Sequence, residues 1–129
     1  MREYAPPTEE ERQRAATGYI LWPVAVLDMI QSRGASRWFE LHIRQAAILG
    51  ASLMTGFLLV MALPLIAVFA LNGPSLSTVI AIYGVSFAVD AVFFVASLVY
   101  IVRLSIKASN GDHFEVPVIW SLIARTARR

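Results

Sequence analysis

Long uncharged apolar runs alternate along this chain with short charged stretches. The longest run, Ala46 to Leu71, holds 26 residues and no charge. As a helix it reaches about 39 Å, more than the roughly 30 Å hydrocarbon core of a bilayer. A second run, Val79 to Val102, holds 24 residues and one charge, Asp90. Between them Asn72-Gly73-Pro74 reads as a tight turn. The two runs predict a transmembrane hairpin over about 46–71 and 79–102. A shorter run over about 15–30 gives only about 24 Å of helix, and Pro23 in its middle removes a backbone hydrogen bond. It is expected as a short membrane segment, either a third span or re-entrant.

The stretches between the runs are polar. Residues 1–14 read as a solvated tail, leaving 15–129 as a single membrane domain. Residues 31–45 carry Arg33, Arg37 and Arg44 beside Trp38 and Phe39, a pattern suited to the headgroup zone. After a second turn at Asn110-Gly111-Asp112, Pro117 is placed to open a helix over about 117–129. There Val118, Ile119, Leu122 and Ile123 fall on one side and Ser121, Arg125 and Arg128 on the other. That pattern predicts an amphipathic helix lying in the interface. The fold class expected is an all-α integral membrane protein.

Composition strengthens this picture. The chain is 57% hydrophobic and 16% charged, against about 45–50% and about 25% in ordinary globular domains. The absence of cysteine excludes disulfides, thiolate nucleophiles and Cys-ligated metal. The N-terminal stretch is net acidic and no A-x-A site follows it, which argues against a cleaved signal peptide. The turn over 72–78 holds none of the 11 lysines and arginines. The positive-inside rule therefore places the C-terminus in the cytoplasm, with the chain in the inner (cytoplasmic) membrane. If the first segment crosses, the N-terminus lies outside; if it is re-entrant, all the basic residues share one side. Lipid headgroups are the expected counter-ions, and no nucleic-acid-binding pattern is present.

Candidate chemistry is sparse. Asp90 sits near the middle of its run, where an acid needs a partner, a proton or water. Tyr83, Ser86 and Ser97 lie within about 40° of it on a helical wheel, making a polar stripe. The stripe reads as a proton or cation relay, or as a protonated or hydrogen-bonded acid facing a neighbouring helix. Gln45, Ser52 and Gly56 share a face of the other run and suit close helix packing. Ser52 or Gln45 are candidate neighbours for Asp90. His42 and His113 lie at the rim, where His42 is expected to hydrogen-bond the chain returning near Asp112. They are not expected to face each other as haem or metal ligands, so no cofactor is predicted. No nucleophile–base pair, paired-carboxylate site or phosphate loop is recognisable, and the chain is not expected to be an enzyme.

The segments RQRAATGYILWPVAVLDM and SRWFELHIRQAAILG carry a resemblance. A Tyr and a Pro in the short first segment are followed by an aromatic turn into F-x-x-(F/L)-(H/N)-x-x-Q-A. These positions read Tyr19, Pro23, Phe39, Leu41, His42, Gln45 and Ala46, and the closing pattern reads Lys107-Ala108-Ser109-Asn110-Gly111, Phe114 and Pro117. The chain resembles small bacterial and archaeal membrane proteins of a domain-of-unknown-function family. That family is related to the multispan component of the chloroplast inner-envelope protein import translocon. The resemblance implies a helical membrane fold with a cytoplasmic turn before His42, and does not imply protein import. The chain departs from the chloroplast proteins in having one short segment where they have two spans. The function expected is a non-catalytic accessory or scaffold subunit of a larger membrane complex or a homo-oligomer, the alternative being a translocon-like or ion-conducting component using Asp90.

Overall fold

A computed structural model of the chain describes residues 6–31, 35–116 and 119. They form four helices: α1 (Glu9–Ile20), α2 (Trp22–Gln31), α3 (Arg37–Ala70) and α4 (Leu76–Ser109). The expected tail over 1–14 is thus helical from Glu9 onward. Thr8 and Glu11 form a reciprocal capping box, and Glu9, Glu10 and Glu11 place negative charge at the positive end of the helix dipole.

The apolar stretch over 15–30 is not one membrane helix. α1 ends at Leu21, whose backbone leaves the helical region after its N–H bonds the Thr17 carbonyl. Pro23 then falls in the first turn of α2, where its missing N–H costs nothing, rather than in a helix interior. The chain folds back there. Ala25 of α2 lies close against Gly18 of α1, and Asp28 pairs with Arg14. With 12 and 10 residues, the two legs are about 18 and 15 Å long, and neither spans a bilayer alone.

α3 and α4 each run for 34 residues, about 51 Å. They extend past the uncharged runs because residues 37–45 and 103–109 continue the helices. Both are long and apolar enough to cross a membrane. Asn72 and Gly73, at φ 46° and 87°, make the turn between them, and Ser75 caps α4 by accepting the Thr78 N–H. α4 ends in a Schellman motif: the Asp112 N–H bonds the Lys107 carbonyl and the Gly111 N–H that of Ala108. Gly111 has φ 78°, a conformation costly for any residue with a Cβ. Pro117 and the helix expected over 117–129 lie outside the described residues, apart from the buried Ile119.

The chain divides into two compact units. One comprises Met1–Ala51 with Tyr100–Arg129, the other Ser52–Val99. The first includes all of α1 and α2. Trp38 and Phe39, expected in the headgroup zone, are buried at 4% and 1% exposure in this unit. The guanidinium of Arg14 on α1 stacks over the Phe39 ring.

Candidate functional site

The polar groups of the first unit converge on the start of α3. Ser36 caps α3 by accepting the Phe39 N–H. The Glu11 carboxylate of α1 reaches across to it, accepting 2.9 Å hydrogen bonds from both the Ser36 N–H and its hydroxyl. Burial alone would raise the Glu11 pKa, but the hydrogen bonds from Ser36 and Thr8 outweigh it and lower the carboxyl below its usual value. One carboxylate therefore fixes two helix starts. Arg14 on the next turn of α1 ties Asp28 of α2 into the same unit. Ser105 of α4 donates a 2.9 Å hydrogen bond to the Ala16 carbonyl.

His42 stands at the centre, ahead of the uncharged run that opens at Ala46. It is 1% exposed. The Tyr19 hydroxyl lies 3.1 Å from its Nδ1 and 3.5 Å from Gln45 Oε1. A further hydrogen bond joins His42 to the Asp112 backbone. Trp38 packs on the imidazole with ring centroids 4.2 Å apart, and Phe114 meets it edge-on at 4.6 Å. Phe114 in turn lies 5.7 Å from the Tyr19 ring and under the Lys107 ammonium at 5.9 Å. Burial first, and the neighbouring His113 second, push the His42 pKa down to about 4, against the opposing Asp112 bond. Burial raises the Tyr19 phenol pKa, with Tyr100 adding to it. The pair is thus held neutral.

The two histidines are closer than expected, with ring centroids 6.5 Å apart. The Schellman turn at Gly111 swings His113 back over α3. His42 is already engaged by the Tyr19 hydroxyl and by the Asp112 backbone. Among the described residues no group of three or more His, Asp or Glu could hold a metal ion. The arrangement is a packed polar latch, built to hold the segment after α4 against α1 and α3.

In the second unit, Ser86, Asp90, Phe93 and Ser97 share the half-buried face of α4. Tyr83 is 42% exposed and lies off that face, its place taken by Ile82. At 100° per residue the half-buried positions centre about 40° to one side of Asp90, which leaves Tyr83 about 60° from that centre and Ile82 about 40°. Ser52 is exposed, while Leu53 is half-buried. Gly56 does pack: a Cβ there would come 3.3 Å from the Phe93 ring. Gln45 belongs to the Tyr19–His42 cluster rather than to Asp90, and Oδ1 of Asp90 is buried without a hydrogen-bond partner among the described residues.

Several organising residues escape a reading of the sequence. Thr8-x-x-Glu11 is a legible capping signal. The Arg14–Asp28 pair and the close approach at Gly50, where a Cβ would overlap Trp22, have no local signal. Comparison with protein families, characterised proteins and solved structures finds no match for this chain.

Proposed function

We propose that this protein is a small non-catalytic integral membrane protein, an accessory or scaffold subunit of a larger complex in the cytoplasmic membrane. The apolar stretches 46–70 of α3 and 79–102 of α4 are its two spans and the basic end faces the cytoplasm. The observation that carries the reading is the bare apolar surface of both helices. Only 6% and 0% of their most apolar windows are buried within the chain, and Phe69, Phe87 and Leu76 are 80%, 76% and 76% exposed. Each such side chain left in water forgoes roughly 1.5–3 kcal/mol, so lipid or another protein must cover them. The turn at 72–75 carries no lysine or arginine, which supports the cytoplasmic placement of the other end.

A supporting role, rather than chemistry, follows from how the polar groups are used. Tyr19, His42, Gln45, Glu11, Arg14 and Asp28 satisfy one another or a backbone group. A pit lined by Met29, Glu40, Ile43 and Arg44 has a volume of only about 40 Å³. The unpartnered Oδ1 of Asp90 favours a second reading, ion or proton conduction.

The test is purification in mild detergent with identification of stoichiometric membrane partners, run beside proton and cation flux in proteoliposomes. Asp90→Asn keeps shape and hydrogen-bonding capacity and is expected to retain the complex, whereas Asp90→Leu weakens it. A wild-type flux that Asp90→Asn abolishes would overturn the scaffold reading in favour of conduction.

A further inference from the structure

The first unit fixes the depth of the N-terminal hairpin. Glu11 meets Ser36 at the start of α3, Tyr19 meets His42 and Gln45, and Gly18 lies beside Ala46. Trp22 crosses Gly50 in direct contact. α1 therefore advances in step with α3. α2 then returns antiparallel to it, bringing Ala25 to Gly18 and Asp28 to Arg14. The turn at 20–22 reaches the level of residues 46–50, within the uncharged run of α3. That is about 6 Å past its first residue.

The side-chain chemistry is layered in the same direction. All charges of α1 fall in Glu9–Arg14, and no charge occurs between Ala15 and Leu27. The only charge on α2, Asp28, is buried against Arg14 at the base. At the turn Ile20 and Leu21 are 58% and 53% exposed, and along the outer side of α2 Leu27, Met29 and Ile30 are 55%, 49% and 66% exposed.

We propose that α1 and α2 form a re-entrant hairpin that enters the membrane from the basic side and returns to it. Its partner is the acyl-chain layer of that one leaflet, which covers Ile20, Leu21 and Leu27. This rests on the reading of α3 and α4 as spans. Hydrocarbon is the matching occupant because the exposed tip offers no charge, while the charged base is level with the polar start of α3. The hairpin also satisfies its own backbone: both legs are helical, and the Val24 N–H bonds the Leu21 carbonyl across the turn. The N- and C-termini then lie on one side, together with all 11 lysines and arginines.

The chain has no cysteine, so single-cysteine variants of the full chain report topology directly. Glu9→Cys, Leu21→Cys, Gln31→Cys, Asn72→Cys and Ser109→Cys are treated with membrane-impermeant maleimide in right-side-out and inverted vesicles. The hairpin predicts that positions 9, 31 and 109 label from one side, position 72 from the other, and position 21 from neither. In proteoliposomes of phosphatidylethanolamine and phosphatidylglycerol, a bimane on Leu21→Cys is expected to lose fluorescence to acyl-chain-brominated lipid. Labelling of positions 9 and 31 from opposite sides overturns the proposal in favour of a third span. Aqueous labelling of position 21, or a bimane insensitive to brominated lipid, overturns it in favour of a surface hairpin or one covered by protein. Labelling of 72 and 109 from the same side is a distinct pattern that removes the two-span reading and the hairpin with it.

Discussion

Gly50→Ala adds one methyl group where α2 crosses α3, and two opposing effects set its outcome. Alanine is the better helix former by about 1 kcal/mol. The new Cβ, however, would overlap Cβ and Cγ of Trp22 and sit 2.9 Å from Cδ1, where carbons prefer about 3.5–4.0 Å. The Trp22 Cβ is fixed to its backbone, so no rotamer change relieves the overlap and α2 itself must move. Overpacking of this kind costs about 1–3 kcal/mol, here at the upper end. The net loss is about 2 kcal/mol, which is roughly a 30-fold shift toward the undocked hairpin. Gly84→Ala is the matched control, because nothing lies within 4 Å of its added Cβ. Amide hydrogen exchange of α2 in detergent micelles reads the docking equilibrium directly. Faster exchange in Gly50→Ala and unchanged exchange in Gly84→Ala are expected. Equal protection in the two variants would refute the close approach.

Gly111→Ala forces a Cβ into a φ of 78° and brings it 3.0 Å from the Arg12 side chain, at a cost of roughly 1–2 kcal/mol. Exchange over 112–116 is expected to quicken, and less so in Gly111→Asn. His42 takes its proton near pH 4 in the fold against about 6.5 when unfolded. The neutral imidazole therefore contributes its full stability above pH 6.5 and loses it as pH falls from 6.5 to 4; amide exchange over 112–116, corrected for the intrinsic pH dependence of exchange, should quicken across that window, and a flat profile would argue against a buried neutral imidazole. Glu11, whose pKa is lowered, contributes stability above its ordinary value near 4.5 and loses it as pH falls through its folded value. Glu11→Gln should lower the thermal midpoint at neutral pH and leave the midpoint less sensitive to acid.

The long helices are legible because 26 consecutive residues without a charge admit few other readings. The hairpin of α1 and α2 is hidden by the same property. Both of its legs are apolar, so the run over 15–30 looks continuous, and Pro23, the local mark of the break at Leu21, reads as a kink within one helix as readily as the first turn of a new one. Trp38 and Phe39 show a second kind of ambiguity. Aromatics beside arginines fit a headgroup zone or a buried seam equally well, and only the covering Arg14 and α1 decide between them. His42 and His113 are distant in sequence, and their approach depends on the Schellman turn at Gly111. For Ser52 and Tyr83, a helical wheel gives the angle between residues but not which side of the stripe meets its neighbour, and Leu53 and Ile82 take the half-buried positions.

The contrast between the two units has a physical logic. Over Ser52–Val99 the surroundings proposed here are hydrocarbon, which gives apolar side chains no drive to leave it for each other. Packing there relies on fit, as between Gly56 and the Phe93 ring, and on the tight Asn72-Gly73 connection. Such contacts hold two helices together but discriminate weakly among registers. The other unit uses directional interactions instead: the Thr8–Glu11–Ser36 double cap, the Arg14–Asp28 pair, and the Tyr19–His42–Asp112 latch. Each is satisfied in one arrangement of α1, α2 and the ends of α3 and α4, and a slip of one helical turn would strand a buried carboxylate or imidazole without its partner. Stranding one of these groups costs about 1–3 kcal/mol or more, far above the difference between neighbouring registers of aliphatic side chains. The polar cluster thereby selects the register of the first unit. Its groups are spent on that task, which is the physical ground for reading it as structural rather than catalytic.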